Sequence, residues 1–255
     1  SPDAIFYNCS GIALSPGYQF SFSYANPFGI KELNHGTFST SIPIYRGYLG
    51  LAAKTFGNKI YSESEYFFSY ANSLQGKFIY GASIRLLRLE ISKYGHDSAI
   101  GFDVGFTTII NSAVQWGFFA TNVNRANIGA QQEALPQIYI TGFNINPVDN
   151  LFLNIDVYKD TQFPTEIRFG MEYSLFDRLA LRSGFITEIA SFTAGMGLRF
   201  SRFDIDYAFR SHNDLGFTHQ FSLTFSLKKR LSQKSGTENL FQIQNKININ
   251  SATHK

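Results

Sequence analysis

The sequence predicts an all-β protein, an antiparallel transmembrane β-barrel of about fourteen strands. Three observations predict it. Apolar residues recur with a period of two along most of the chain. The alternating segments are long, and the links between them are short on one side and longer on the other.

Residues 1–16, "SPDAIFYNCSGIALSP", neither alternate nor share one helical face. Alternation starts in "QFSFSY", where Phe20, Phe22 and Tyr24 lie opposite Gln19, Ser21 and Ser23. Strands are expected near 18–26, 37–45, 47–56, 61–73 and 77–92. The third, "GYLGLAAK", alternates weakly. The fifth changes phase, from a face of Phe78, Tyr80, Ala82, Ile84 and Leu86 to one of Leu87, Leu89 and Ile91, which predicts a β-bulge. Further strands are expected near 98–110, 113–123, 136–146 and 150–160. Segment 164–176 sets Ile167, Phe169, Met171, Tyr173 and Leu175 against Glu166, Arg168, Gly170, Glu172 and Ser174. Strands near 178–187 and 190–201 follow. Then 202–211 sets Phe203, Ile205, Tyr207 and Phe209 against Asp204, Asp206, Ala208 and Arg210, and 217–228 closes the set.

A soluble sandwich also alternates, burying its greasy faces between two sheets. The barrel is favoured because strands of ~9–11 residues fit a bilayer, the greasy faces are unusually aromatic, and the opposite faces carry opposite charges at strand centres. The links supply a separate test. "YRG", "NSLQG", "NSA", "NPVDN", "FDR" and "SR" are short, whereas "NPFGIKELNHG", "KTFGNKIYSE", "SKYGHDSA" and "NVNRANIGAQQEALPQ" are longer, and "TEIA" is short again. An even strand count puts both termini on the short-turn side, which is periplasmic in bacterial outer-membrane barrels.

Composition agrees. Charged residues are 16% of the 255, below the ~25% of soluble domains, and aromatics are also 16%. No stretch approaches the ~18 apolar residues of a membrane helix. The mean hydropathy of −0.10 hides the two faces of each strand by averaging them. One cysteine, Cys9, excludes an intrachain disulfide; it reads as a small buried residue, because "FYNC" lacks the context of a lipid-attached cysteine. The chain begins at Ser1, consistent with removal of a leader during export. Residues 228–255 carry a net charge of +5, leaving −2 for 1–227, so the body offers nothing to nucleic acid.

"DAIFYNCSGIAL" is similar to the "DA…NPAGLA" segment of FadL-fold outer-membrane proteins, and most closely resembles the PorV/PorQ-type branch. Asp3, Ala4, Asn8, Gly11, Ile12 and Ala13 match, while Cys9 and Ser10 replace Pro-Ala. "SYANPFG", "LPQIYITGFN", "FPTEIRFGMEYSL", "LALRSGF" and "FTAGMGLRF" also fit, so the resemblance spans about 1–228. It implies that residues 1–16 form a plug or periplasmic segment, with Asp3, Asn8 and Gly11 as its motif; a disordered leader is the alternative. Residues 17–229 are then the barrel and 230–255 a periplasmic linker, whose "KININSATHK" resembles the opening of a helix-hairpin-helix domain.

The expected lumen charges are Glu65, Arg85, Asp103, Asp156, Glu166, Arg168, Glu172, Arg182, Arg199, Asp204, Asp206 and Arg210, since a basic residue facing mid-bilayer costs ~2–4 kcal/mol. Arg182 is expected near Glu172 or Arg168, and Arg199 near Asp204 or Asp206. They form either a packed ionic network or a polar track for ligand head groups, with Phe119, Tyr139, Phe143, Phe152 and Tyr158 as apolar lining. The five histidines lie in or beside loops and the tail, no metal-ligand spacing or catalytic grouping is seen, and no enzyme activity or cofactor is expected. The resemblance implies transport or type IX-like protein secretion across the outer membrane, with outer-membrane lipid and secretion-system proteins as partners. The alternatives are uptake of a hydrophobic or amphipathic ligand through a lateral opening, near Leu86-Leu87 or the weak third strand, and a structural barrel with a sealed lumen.

Overall fold

The computed structural model describes residues 1–227 apart from 16, 31, 130, 177, 189, 213 and 214. The expected linker and helix-hairpin-helix likeness at 230–255 lie outside the described residues. The wall begins with β1 (Gln19–Asn26), β2 (Asn34–Ile44), β3 (Gly47–Gly57), β4 (Tyr61–Leu74), β5 (Phe78–Ile91), β6 (Gly95–Ile109) and β7 (Val114–Ala120). A small ladder of β8 (Asn127–Ile128) and β9 (Glu133–Ala134) stands apart from it. The wall resumes with β10 (Ile138–Val148), β11 (Leu151–Asp160), β12 (Thr165–Leu175), β13 (Leu179–Ile186), β14 (Ser191–Arg199), β15 (Phe203–His212) and β16 (Gly216–Ser226). These fourteen strands form a closed antiparallel barrel in which β1 pairs with β16, Gln19 opposite Ser226.

Alternation sorts the side chains. Phe169, Phe203 and Phe225 are 46%, 41% and 38% exposed on the outside of the wall. Glu65 and Asp103, on the opposite faces of β4 and β6, are 7% and 1% exposed inside. Stacked pairs such as Phe78 on Phe106, 5.8 Å between ring centres, continue this apolar outer surface across neighbouring strands. Ions inside and aromatics outside are the arrangement that suits acyl chains rather than water.

Two expectations are corrected. No bulge occurs at Leu86-Leu87: β5 keeps an unbroken register with β4 from Phe78 to Ile91, and likewise with β6. The chemistry of the faces changes there while the backbone does not. Arg88, on the outer face, lies ten residues above Phe78, which at ~3.4 Å per residue and a tilt of ~40° is roughly 26 Å, the edge of a ~25 Å apolar band. Polar residues therefore turn outward where the strand leaves lipid, and Leu87, Leu89 and Ile91 turn inward. The same lengthening shrinks the expected loops: β3–β4 and β5–β6 are joined by residues 58–60 and 92–94 alone. The long connections are 27–33 and 121–137.

Candidate functional site

The first fifteen residues lie against the inner face of one side of the barrel. Two short 3₁₀ turns, Pro2–Phe6 and Cys9–Leu14, are capped by Ser1 and Asn8. Ile5 and Ile12 are fully buried with Ala52, Phe67 and Ala71 of β3 and β4, and the Phe6 ring meets Phe67 edge-on at 5.3 Å. Burial of each isoleucine contributes about 1.5–3 kcal/mol.

The three motif residues have separate tasks. Asp3 accepts hydroxyl hydrogen bonds from Ser21 (2.8 Å) and Ser39 (2.6 Å), tying the start of the chain to β1 and β2. The Asn8 amide donates to the carbonyls of Phe106 (3.0 Å) and Phe118 (3.3 Å) and accepts from the Ser10 hydroxyl (2.7 Å). Gly11 lets the two turns touch, because a Cβ there would lie 2.8 Å from that of Ala4. Gly81 of β5 has a similar role, since its Cβ would lie 2.7 Å from the Ser10 amide nitrogen.

Above this segment the lumen holds an ionic cluster. Lys54 meets Glu65 at 2.9 Å, Arg85 meets Glu65 at 3.3 Å, and Arg85 meets Asp103 at 3.6 Å. Asp103 also accepts the backbone N–H of Asn122 at 2.8 Å. That contact marks an interruption in the wall. β6 runs to Gly95, but β7 accompanies it only up to Val104 opposite Ala120. Asn122 turns inward with φ +51° and is fully buried. Beyond it one backbone bond remains, from the Val123 N–H to the Phe102 carbonyl (2.8 Å), and then a side chain takes over: the Asn124 amide donates to the Ile100 carbonyl (2.8 Å) and accepts from the Phe102 N–H (2.9 Å). The outer rim is apolar, with Ile100, Phe102 and Val123 all exposed. Phe102 sits seven residues above Ile109, roughly 18 Å at ~3.4 Å per residue and ~40° of tilt, within the apolar band.

On the opposite side, Arg182 joins Glu172 (2.7 Å) and Asp206 (2.5 Å), and Arg199 joins the second oxygen of Glu172. Arg168 pairs with Glu166 at 2.7 Å and lies over the Tyr158 ring at 3.6 Å. Asp156 stands opposite Arg168 in the register, and Asp204 opposite Arg199. No ion pair joins Arg210 to another described residue; it stands opposite Thr193. A cavity of ≈520 Å³ lies between this face and the N-terminal segment, lined by Asp3, Tyr7, Arg182, Asp206, Ala208 and Ser222 among others.

No family model and no curated protein matches the chain in sequence. Solved structures do resemble it. The Pseudomonas putida toluene transporter TodX superposes with a TM-score of 0.62 at 10% identity, covering 88% of this chain and 92% of that one. The Ralstonia pickettii toluene transporter TbuX gives 0.63 at 13%, covering 88% and 92%. A Pseudomonas aeruginosa FadL homologue gives 0.62 at 13%, covering 89% and 94%. The chain has the FadL fold.

Within this FadL-fold barrel the sequence located the charged residues but not all of their partners. Lys54 escaped notice because β3 alternates weakly: Leu49, Leu51 and Ala53 face out, while Tyr48, Gly50 and Ala52 face in. Phe143 is 45% exposed on the outer face, and Tyr139 shares that face, so neither lines the interior; Phe119 does, at 2% exposure. The expected openings at Leu86-Leu87 and β3 are also corrected, because β3, β4 and β5 pair along their whole lengths. A lone signal marks the real interruption: polar "NVNR" ends the alternation of β7 before its partner β6 ends.

Cys9 is buried, and burial pushes its thiol up to about 12. Thiolate, the reactive species, is therefore scarce at neutral pH. Folded protein in detergent is expected to stay unlabelled by maleimide at pH 7.5 under conditions where unfolded protein reacts fully, as read by intact mass.

Proposed function

We propose that the protein is a bacterial outer-membrane channel for a hydrophobic small molecule, with residues 1–15 as a plug and both termini on the periplasmic side. The ligand enters between the inward Leu87, Leu89 and Ile91 at the long-strand end. The plug stops axial travel, and the ligand leaves sideways into lipid past Asn122 and Asn124. The observation that carries this reading is the wall interruption, where the Asn124 side-chain amide takes over from the strand ladder beside an apolar rim. The fold shared with hydrocarbon and toluene transporters supports it. Neither the geometry nor the comparisons support the secretion role suggested by the PorV/PorQ likeness.

Gly101 offers the test. It lies on the inner face beside Asn122, and a Cβ there meets nothing closer than 3.5 Å. Gly101→Phe is therefore expected to fold normally and obstruct the path to the rim. Uptake of toluene into proteoliposomes should fall about tenfold, a barrier increase near 1.4 kcal/mol. Equal uptake by parent and variant would overturn the sideways route past Asn124, and no uptake above protein-free vesicles would overturn the channel in favour of a sealed structural barrel.

A further inference from the structure

The N-terminal segment packs on one side of the lumen and leaves the other side wet. Its buried contacts are with β3 and β4, and its Asn8 and Ser10 bonds reach β6 and β7. Facing it across the lumen, β14, β15 and β16 carry no large apolar side chain inward, and β1, to which Asp3 is tied through Ser21, continues the polar face. By register the inner faces are Ser191, Thr193, Gly195, Gly197 and Arg199 on β14, and Asp204, Asp206, Ala208, Arg210 and His212 on β15. On β16 and β1 the inner residues are hydroxyl-bearing, amide or small throughout, from Gly216 to Ser226 and from Gln19 to Ala25. This polar face runs the full height of the wall. The ≈520 Å³ cavity lies along it, room for roughly seventeen waters at ~30 Å³ each.

We propose that this half of the lumen is a hydrophilic passage for water and small inorganic ions, separate from the hydrophobic route and independent of it. The two routes differ in what they present. A hydrocarbon gains nothing from hydroxyls and ion pairs, whereas an ion losing part of its hydration shell finds oxygen and guanidinium groups along the whole height. Around the cavity, the carboxylates of Asp3, Asp204 and Asp206 are matched by the guanidinium groups of Arg182, Arg199 and Arg210, so the passage is lined by both signs of charge.

The test uses the full chain in planar bilayers in potassium chloride. Cys9 is buried, so a cysteine introduced in the passage is the sole accessible thiol. Ala208→Cys places it on an exposed, inward position of the cavity lining, and Ser222→Cys is a second variant on the neighbouring strand. The parent is expected to conduct steadily. A charged methanethiosulfonate reagent should reduce the current of either variant by about threefold or more and leave the parent unchanged. Gly101→Phe should lower toluene uptake without changing the current, which separates this proposal from the uptake reading. A parent current equal to that of a protein-free bilayer overturns the passage. So does complete labelling, seen by mass, without loss of current, or failure of both folded variants to label.

Discussion

Replacing Gly81 with leucine is expected to release the first fifteen residues from the wall while the fourteen-stranded barrel stays closed. A side chain at 81 points at the backbone of Cys9 and Ser10, with Cβ contacts of 2.9 and 2.7 Å, and a backbone cannot give way as a flexible side-chain tip can. The segment must lift. With it go the burial of Ile5 and Ile12, about 1.5–3 kcal/mol each, and the Asn8 and Asp3 hydrogen bonds, about 0.5–1.5 kcal/mol each. The wall keeps its ladder, because β5 pairs with β4 and β6 through backbone groups on either side of Gly81. Two readouts should move together. Cys9 should become reactive to maleimide in folded protein, and bilayer conductance should rise about tenfold, since an unobstructed barrel of this width leaves a water-filled bore. If Cys9 stays protected and the current is unchanged in a variant that still runs as a heat-modifiable barrel, the first residues are not held as described.

Arg85→Met is expected to lower barrel stability by about 3–5 kcal/mol, the usual cost of removing one partner from a buried ion pair. Arg85 lies between two carboxylates that are almost sealed from water, Glu65 and Asp103 at 7% and 1% exposure. Glu65 would keep Lys54 at 2.9 Å. Asp103 would keep the Asn122 N–H at 2.8 Å and no neighbouring cation among the ion pairs described. Pairing Arg85→Met with Asp103→Asn should restore most of the loss, because an amide oxygen still accepts from Asn122 and no charge is stranded. Urea unfolding in lipid vesicles measures both. A single variant as stable as the parent, or a double variant no better than the single, would show that the cluster contributes little.

Strand positions were legible because each strand differs chemically between its two sides, and a closed barrel turns that difference into inside and outside. Residues 164–176 and 202–211 illustrate this, since charges alternate with Phe169 or Phe203 and the observed β12 and β15 start and end within one residue of expectation. Partner choice was less legible, because a lumenal arginine reaches beyond the adjacent strand. Arg182 on β13 crosses Gly197 on β14 to reach Asp206 on β15, and Arg199 on β14 reaches Glu172 on β12. Pairing rules for neighbouring strands do not contain those contacts. Phe143 misled because β10 carries apolar residues on both faces, so its phase shows only once β7 and β11 are paired with it. The closure at Asn124 has no periodic signature at all: a side-chain amide imitates a backbone there, and only the missing upper half of β7 gives it that task.

The seam between β1 and β16 has a consequence for assembly. Gln19 hydrogen-bonds Ser226 at 2.8 Å across 207 residues of sequence, so the earliest strand cannot finish pairing until the last has arrived. Ordering contacts so far apart along the chain is slow. Until then the chain has an open β1 edge and a sheet of outward-facing phenylalanines, both prone to stick to other chains. A factor that shields the nascent sheet until closure is therefore expected to raise the yield of closed barrel.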